Sequence, residues 1–299
     1  MAILMGDTVN DENGMEILEH GKAAFPVACY ACDLEYREIP WHWHDEFEVL
    51  FVIEGAAVVL IGKEQLHLPA GRGIFINAGT LHSVAHAGEG VCKLRSICWH
   101  PRLSGGRDDS IYWQEYTKEL LKEQSCSYLF LEELGESGRE AVLYFSDAWE
   151  RASKESAGYE FDLRHDLSKI LVYGYLRQKT ENRKQSEKEI RTEKRMKQMI
   201  EFIKENLSVQ ITIDEIAESA GVSVSECLRC FNSMFGITPI RYTRKLRLEK
   251  AAGMLKRGSS VSECSVLCGF DDMSYFAREF KKQYGCKPME YKKRMRQKK

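Results

Sequence analysis

The first third of the chain alternates between short apolar runs and turn residues. Four of these runs are candidate strands, namely Phe47–Ile53, Ala56–Ile61, Gly73–Ile76 and Val91–Trp99. Short strands at this spacing, separated by Gly and Pro, predict a β-sandwich or a small barrel between Phe25 and Pro101. The segment that follows, Leu103–Ser110, is rich in Gly, Asp and Ser, and this composition predicts a loop.

From about Ile111 to Lys179 the apolar residues recur with the period of a helix. One stripe repeats at i, i+4, i+7 and i+8 and consists of Leu163, Leu167, Ile170 and Leu171. Such a stripe packs against the β domain or against the same helix of a second chain, and the sequence leaves both alternatives open, separately or together. We therefore expect a helical dimerisation region over residues 106–180 and a homodimer.

Residues 180–194 contain one apolar residue in fifteen. Such a segment cannot bury a core, and we interpret residues 181–193 as a linker. The net charge changes sign across it. Residues 1–190 carry 20 Lys and Arg against 32 Asp and Glu, a net −12, whereas residues 191–299 carry 23 against 13, a net +10. This asymmetry predicts one domain that meets a polyanion and one that does not.

The basic C-terminal part contains the signals of a short helix pair. Thr212 is a good N-cap followed by acidic residues, and Gly221 ends the first helix. Ser223 or Ser225 then caps a second helix. The apolar positions of that second helix include Leu228, Phe231 and Phe235. Two short helices joined by a tight glycine turn form a helix-turn-helix.

The same arrangement recurs about fifty residues later, with a short helix from about Val261 and a turn at Gly269. Each copy ends in aromatic-Gly-x-x-Pro, at Phe235–Pro239 and at Tyr284–Pro288. The helix between the copies runs from about Pro239 to Leu255 and would be about 25 Å long. That length would set the two second helices roughly one DNA turn apart.

Residues 190 to 296 resemble the DNA-binding domain of the AraC/XylS family of bacterial transcription regulators. The resemblance is carried by Ile216, Ala217, Gly221, Phe231, Gly236, Pro239, Arg247, Ala251, Leu255, Gly269, Phe270, Tyr275, Phe276, Phe280, Lys281, Gly285, Pro288 and Tyr291. It implies a domain at 194–299 that binds double-stranded DNA in a regulator that RNA polymerase can contact. The expected DNA-binding residues are Ser225, Glu226, Arg229, Asn232, Met273, Ser274, Arg278 and Lys281.

A second motif lies in the β part of the chain. His42 and His44 are separated by one residue, so on a strand both side chains point to one face, and Glu48 follows on that face. The spacing His-x-His-x3-Glu-x6-Gly, followed by Pro-x-Gly and His82, resembles the two motifs of the cupin barrel. The resemblance implies a cupin-like effector-sensing barrel over residues 1–105.

Two interpretations of His42, His44, Glu48 and His82 stay open. In cupin enzymes three His and one Glu bind a divalent metal, and imidazole with carboxylate suits Fe, Mn, Ni or Zn. In regulators of this family the barrel binds an effector, and many work without a metal. We therefore expect these four residues to form a ligand-binding pocket without a cofactor, while allowing for a divalent metal in the same pocket.

The sequence thus predicts a multidomain protein, with a cupin-like β-barrel followed by helices and an all-α C-terminal domain containing two tandem helix-turn-helix motifs. We interpret it as a DNA-binding transcription regulator, not an enzyme, controlled by a small-molecule effector. The alternatives are a metal-dependent cupin enzyme fused to a DNA-binding domain and an architectural DNA binder. Residues expected near the pocket, suited to a sugar or an aromatic acid, are Tyr30, Trp41, Trp43 and Arg95.

The remaining features concern compartment and redox chemistry. No run of about 18 apolar residues occurs, so no membrane span is expected. The N-terminus lacks a basic region followed by an apolar stretch, so we expect no secretory signal and a cytoplasmic protein. Ten cysteines include the spacings Cys29/Cys32 and Cys227/Cys230. We expect reduced thiols packed as small apolar residues, because the first pair lies on opposite faces of a strand and the second on a helix.

Overall fold

The computed structural model describes residues 4–5, 21–34, 38–88, 90–122, 126–131, 136–180 and 186–297. The chain divides into two compact units, of which the first ends at Ile190 and the second begins at Arg191. Residues 6–20 and the first part of the predicted linker, residues 181–185, lie outside the described residues. Across the described ranges, no helix has the length and apolarity needed to cross a membrane.

The first unit contains two β-sheets. Its strands are β1 (Leu4–Met5), β2 (Val27–Asp33), β3 (Ile39–His42), β4 (Phe47–Glu54), β5 (Ala56–Ile61), β6 (Glu64–Pro69), β7 (Gly73–Ile76), β8 (His82–His86), β9 (Lys93–Trp99) and β10 (Tyr128–Leu131). The larger sheet has the order β1-β2-β9-β4-β7-β10 and the smaller one β3-β8-β5-β6. Neighbours pair antiparallel except β1 and β2, which are parallel. The prediction of a small sandwich or barrel is confirmed.

The two faces of the larger sheet have different neighbours, because side chains alternate along a strand. The face toward the helices carries Val27, Cys29, Phe47, Val49, Phe75, Ile97 and Trp99. The face toward the barrel interior carries Cys32, Leu50, Val52, Ile74, Ile76 and Leu94, which pack with Ala57, Val59 and Val84 of the smaller sheet. Cys29 and Cys32 therefore lie on opposite faces, as predicted, and all ten cysteines are free and buried.

Helices cover the outer face of the larger sheet. They are α1 (Arg102–Gly105), α2 (Lys118–Leu120), α3 (Glu136–Lys154) and α4 (Tyr159–Thr180), with a π-helical turn at Trp113–Thr117. The apolar stripe of α4, from Leu163 to Leu171, is buried in the same core as Phe75 and Trp99. Of the two alternatives for this stripe, packing against the β domain is correct. The stripe is not available to a second chain, so the idea that it forms the dimer seam is wrong.

Strand β10 corrects the prediction that residues 106–180 are helical throughout. Tyr128–Leu131 pairs antiparallel with β7 at the edge of the larger sheet. Leu129 and Leu131 face the helix-covered core, while the Tyr128 hydroxyl donates to Glu64 Oε2 at 2.6 Å. The four residues are apolar or aromatic on both faces, a short run whose periodicity cannot distinguish a strand from a buried helical turn.

Two further segments differ from their predicted structure. Leu103–Gly105 was expected in a loop but belongs to α1, where the carbonyl of Leu103 accepts a hydrogen bond from Arg164 Nε at 2.8 Å. Residues 187–193 of the predicted linker are the first turns of a helix that begins at Glu187. Ser186 and Glu189 cap this helix reciprocally, and capping stabilises a polar helical turn that has no apolar face.

The second unit is helical. Its elements are α5 (Glu187–Glu205), which crosses the boundary between the units, α6 (Ile213–Ser219), α7 (Val224–Phe235), α8 (Pro239–Arg257), α9 (Val261–Leu267), α10 (Met273–Tyr284) and α11 (Pro288–Gln297). The pairs α6–α7 and α9–α10 are the two predicted helix-turn-helix units. The basic tail from Tyr291 is mostly helical, and its Tyr291 ring lies 5.4 Å from the Phe280 ring between centroids.

The internal repeat is visible in the helix caps. Ser223 caps α7 and Asp272 caps α10, each accepting a hydrogen bond from a backbone N–H three residues on. Both helices have 12 residues and end at a glycine in the left-handed conformation, Gly236 or Gly285. The preceding short helices are capped by Thr212 and by a serine, each with a capping box. The predicted tandem arrangement is confirmed.

Candidate functional site

The residues of the two cupin-like motifs meet inside the barrel. His42 pairs across the β3–β8 ladder with His82, and Glu48 projects from β4 on the interior face. His44 lies two residues after the end of β3. All four side chains are buried, and one potential ligand atom from each lies within 4.8 Å of the others. We call these four residues the histidine–glutamate cluster.

The Glu48 carboxylate is the centre of the histidine–glutamate cluster. Its Oε2 lies 3.3 Å from His44 Nε2 and 3.1 Å from His82 Nε2. Its Oε1 accepts a hydrogen bond from the Ser96 hydroxyl. The His42 and His82 rings are 4.2 Å apart between centroids. The carboxylate is therefore satisfied on both oxygens, while His42 adds a third ring to the same space.

Each histidine ring is held from behind by a backbone carbonyl. The distances from Nδ1 are 2.8 Å for His42 to Pro40 O, 3.1 Å for His44 to Glu46 O and 2.9 Å for His82 to Thr80 O. Because a carbonyl oxygen can only accept, each Nδ1 carries the hydrogen. Nε2 is then the nitrogen that faces the cluster, in the orientation that outer-sphere hydrogen bonds impose on metal-binding histidines.

Burial and the neighbouring charges shift the pKa values of these groups in different directions. Burial, together with the neighbouring rings of His82 and His44, holds the pKa of His42 well below its ordinary value. Burial also lowers the pKa of His44, but the hydrogen bond to Glu48 and the Glu48 charge outweigh it, so the pKa is raised. Burial raises the pKa of Glu48, and the hydrogen bonds from His44 and His82 overcome that effect and hold it well below its usual range. The cluster thus favours an ionised Glu48, a charged His44 and a neutral His42.

The donor set fits a divalent transition metal. Three imidazole nitrogens and one carboxylate oxygen are ligands that Zn, Fe, Mn and Ni accept, and the carbonyl contacts at Nδ1 supply the outer-sphere support. His44 and His82 each have an acceptor within hydrogen-bond distance of both ring nitrogens in the metal-free chain. A bound divalent ion would take the place of protons on the imidazole rings as the positive charge beside the Glu48 carboxylate. His42, His44, Glu48 and His82 are the residues that would hold it.

Sequence reasoning missed the side chain that orients Glu48. Ser96 lies on β9, opposite Leu50 of β4, and its hydroxyl also lies 3.6 Å from the Cys98 thiol. Burial, followed by the charge of Glu48, raises the pKa of Cys98 well above its ordinary value. The alternation of side chains along β9 could have placed the Ser96 hydroxyl on the interior face.

The turn between β7 and β8 was missed as well. The Asn77 side-chain amide donates to Leu120 O at 2.7 Å and to Cys126 O at 3.1 Å. The Thr80 hydroxyl donates to Ser127 O at 3.1 Å. This turn, whose Thr80 carbonyl holds the His82 ring, is thereby attached to the segment that enters β10. Hydrogen bonds between residues so far apart in sequence cannot be predicted from a local pattern.

The additional residues expected around the pocket separate into different environments. Tyr30 packs against the interior core of the barrel. The Arg95 guanidinium lies 4.9 Å from the centroid of the Trp149 ring, among the helices on the outer face. Arg95 is therefore not a pocket residue, because its strand position alternates with that of the inward-facing Ser96. Trp41 and Trp43 are half-buried.

The expected DNA-binding residues form one stripe on each second helix. Ser225, Arg229 and Asn232 stand two, six and nine residues after the N-cap of α7, and Ser274, Arg278 and Lys281 stand at the same positions of α10. These six side chains and Met273 are exposed, whereas Cys227, Phe231, Phe276 and Phe280 on the opposite sides are buried. Each helix therefore has one apolar side that anchors it and one polar side left open.

Glu226 differs from the other seven expected DNA-binding residues. It is half-buried and forms ion pairs with Arg229 on its own helix and with Arg195 Nη1 of α5, the latter at 3.8 Å. On α10, the Arg278 guanidinium lies 5.2 Å from the centroid of the Tyr275 ring. Glu226 thus restrains Arg229, and Tyr275 restrains Arg278, in the unbound chain.

The chain resembles known regulators over both units. A family model described as an AraC-like ligand binding domain matches residues 25–105, and one described as a helix-turn-helix domain matches residues 216–294. The HTH-type transcriptional regulator YdeC of Bacillus subtilis is 28% identical over 97% of this chain and 99% of its own. The HTH-type transcriptional activator RhaS of Klebsiella pneumoniae is 22% identical over 89% of this chain and 92% of its own.

Solved structures give the same assignment of fold. Apo ToxT from Vibrio cholerae is 11% identical, covers 92% of this chain with 98% of its own, and superposes with a TM-score of 0.50. A ligand-binding β domain, a DNA-binding domain with two helix-turn-helix units and relatives matched along nearly their whole length lead to one conclusion. The chain belongs to the AraC family of effector-controlled, DNA-binding transcription regulators.

Proposed function

We propose that the effector of this regulator binds at the histidine–glutamate cluster and that α7 and α10 make the specific DNA contacts. The supporting observation is the convergence of three buried imidazoles and one buried carboxylate within 4.8 Å, in a barrel whose interior is otherwise largely apolar. Buried polar groups are costly unless they have partners, and a few convergent polar groups in an apolar cavity are typical of ligand sites.

A melting-temperature screen against sugars and aromatic acids tests the effector site, because a ligand that binds only the folded chain raises that temperature. The compound found must also change the affinity of the chain for its operator duplex. We expect His44→Ala and His82→Ala to abolish both effects. A compound that stabilises the parental chain and both variants equally would bind elsewhere.

A second candidate is an effector site that contains a divalent transition metal. The observation that favours it is the carbonyl contact at the Nδ1 atom of every histidine of the cluster. A bound ion would supply a Lewis-acidic centre to which an anionic or hydroxylated effector could bind. Elemental analysis of the chain, purified without added metal or a His tag, tests this candidate. Less than about a tenth of an equivalent of any transition metal would exclude a resident ion.

We propose that the chain is not an enzyme, since its relatives are named as transcription regulators. The alternative is a metal-dependent cupin enzyme fused to a DNA-binding domain. The compound found in the melting-temperature screen distinguishes the two. Chemical conversion of that compound by the metal-loaded chain, absent in His44→Ala, would favour the enzyme, whereas its recovery unchanged supports the regulator.

We propose that the regulator acts as a homodimer, in contact with RNA polymerase, in the bacterial cytoplasm. Large apolar side chains that are exposed on α3 and α4 support an interface with a second copy of the chain at these helices. Leu143, Phe161 and Leu176 are 63%, 79% and 53% exposed in the single chain. Residues of this type are normally buried, and a set on one helical layer favours a protein interface. Analytical ultracentrifugation of the parental chain tests the stoichiometry.

A further inference from the structure

The carbonyl of Gly269, in the turn between α9 and α10, accepts hydrogen bonds from two distant side chains. Arg247 Nη1, on α8, donates at 2.9 Å, and Gln210 Nε2, in the segment before α6, donates at 3.0 Å. Arg247 Nη2 also donates to the carbonyl of Val209, and Gln210 Nε2 donates to Asp271 Oδ2 at 2.7 Å. The entry to the first helix-turn-helix unit, the connecting helix and the turn of the second unit are thus tied at one point. We call Arg247 and Gln210 the Gly269 clamp.

The turn at Gly269 packs directly on the backbone that follows α5. A Cβ atom at this position would lie 2.5 Å from the carbonyl oxygen of Leu207 and 3.0 Å from Arg247 Cζ, and the φ angle is +70°. Contacts between two backbones cannot relax by a change of rotamer. The position of this turn relative to the end of α5 is therefore sharply defined.

The core of the second helix-turn-helix unit is formed by side chains other than those of the Gly269 clamp. Phe270, Phe276 and Phe280 are buried together with Leu248 and Leu255 of α8. Arg247, by contrast, is a buried cation bound to carbonyl oxygens, 8% exposed. Burying a charge gives little net stability compared with an apolar residue of similar size. What Arg247 adds over an apolar residue of similar size is therefore the set of directed contacts to the carbonyls of Val209 and Gly269.

We propose that Arg247 and Gln210 are positioning residues that fix the distance between α7 and α10, and with it the number of base pairs between the two half-sites read by one chain. The first helix-turn-helix unit is connected to the clamp through the segment before α6, and α10 is connected through the turn that precedes its N-cap. Without the clamp, the second helix-turn-helix unit stays anchored on α8 but rotates about it. The proposal rests on the assignment of α7 and α10 to DNA reading.

The experiment uses a duplex selected by the parental chain from a randomised library, remade with one or two base pairs inserted between the half-sites. We expect the parental chain to bind the selected duplex at least about 10-fold more tightly than the lengthened ones, because one half-site is lost on insertion. Arg247→Lys and Gln210→Ala should reduce this spacing ratio to about threefold or less. The control Arg257→Ala removes an exposed cation from the same helix and should weaken binding to all duplexes while keeping the parental ratio.

Gln210 is exposed, so its replacement leaves the core intact. A Gln210→Ala chain with both the parental melting temperature and the parental spacing ratio would overturn the proposal, as would a parental chain that tolerates every spacing equally. Gly269→Ala pushes the turn away from Leu207 and should lower the ratio in the same way. Failure of the underlying DNA-reading assignment gives a different result, because Arg229→Ala and Arg278→Ala would then leave operator affinity unchanged.

Discussion

Arg229 and Arg278 occupy the same position in two helices of equal length. Each stands six residues after its N-cap, Ser223 or Asp272, and seven residues before the left-handed glycine that ends the helix. Both side chains are exposed. Because the cap fixes where the first turn begins, the two guanidinium groups leave their helices at the same level relative to the buried aromatic side.

We expect Arg229→Ala and Arg278→Ala each to weaken operator binding by about 1–3 kcal/mol, because each removes the bidentate contact to guanine that we propose for the side chain. Electrophoretic mobility shifts at constant salt measure the effect. Lys281→Ala serves as the comparison, since loss of a phosphate contact should weaken binding to operator and to unrelated DNA alike. Parental operator affinity in both arginine variants would mean that α7 and α10 do not read the bases.

The buried stripe of α4 leads to a prediction about stability. Leu167→Ala should lower the free energy of unfolding by about 2–5 kcal/mol, because it leaves a cavity in the core shared with the larger sheet. Lys169→Ala, at an exposed position of the same helix, should change it by less than about 0.5 kcal/mol. Urea unfolding measures both. Leu167→Glu combined with Leu171→Glu should yield an insoluble chain, not a folded monomer.

The exposed apolar side chains of α3 and α4 lead to a prediction about assembly. Phe161→Glu combined with Leu176→Glu should convert the proposed dimer into a monomer, because two charges cannot be buried in an apolar interface without partners. Both positions are exposed in the single chain, so the monomer should stay folded and keep the parental circular dichroism spectrum. Sedimentation velocity that still shows a dimer would assign the interface to another surface.

The pKa of His44 leads to a prediction about pH in the metal-free chain. A histidine whose pKa is raised on folding stabilises the folded state fully below its ordinary value of 6.5, and this stabilisation is lost as pH rises through the folded pKa. The stability difference between the parental chain and His44→Ala should therefore be largest near pH 6 and decrease toward pH 9. The cavity left by the substitution is independent of pH and does not contribute to this trend.

Glu48 sets the lower end of the same window. Its folded pKa lies below the ordinary value of 4.5, so its contribution is present above pH 4.5 and lost as pH falls through the folded pKa. Chemical denaturation at pH 6 and pH 9, with and without a chelator, measures the His44 effect. A metal-loaded cluster behaves in the opposite way, because protons displace a metal from its ligands as pH falls. A parental advantage that increases with pH would thus contradict the metal-free description.

The parts of the fold that could be predicted from sequence are those with a local cause. The caps Thr212 and Ser223 and the aromatic-Gly-x-x-Pro endings act within one helical turn, so spacing alone revealed both helix-turn-helix units. The shared face of His42 and His44 could also be predicted locally, from alternation along a strand. The cupin resemblance then brought in His82, which lies across the ladder from His42.

The parts that could not be predicted depend on residues far apart in sequence. Tyr128 is in a strand because β10 pairs with the edge of β7, and its hydroxyl donates a hydrogen bond to Glu64 of the other sheet. The helical period of α4 indicated an apolar stripe but not what covers it, since packing on a sheet and packing on a second chain require the same pattern. Arg247 matched the family as a basic residue on a basic helix, and only its burial reveals that it contacts backbone carbonyls.

On the proposed assignment of α7 and α10 to DNA reading, the internal repeat also gives the regulator a direction along the duplex. The two copies follow each other in one chain, and where α7 presents Asn232 its counterpart α10 presents Lys281. A sequence read by these two unlike helices has no two-fold axis, so a chain bound to it can lie in only one orientation. Inverting the binding site in front of a promoter would then exchange the end of the protein nearest to the transcription start, without changing a single contact to the bases.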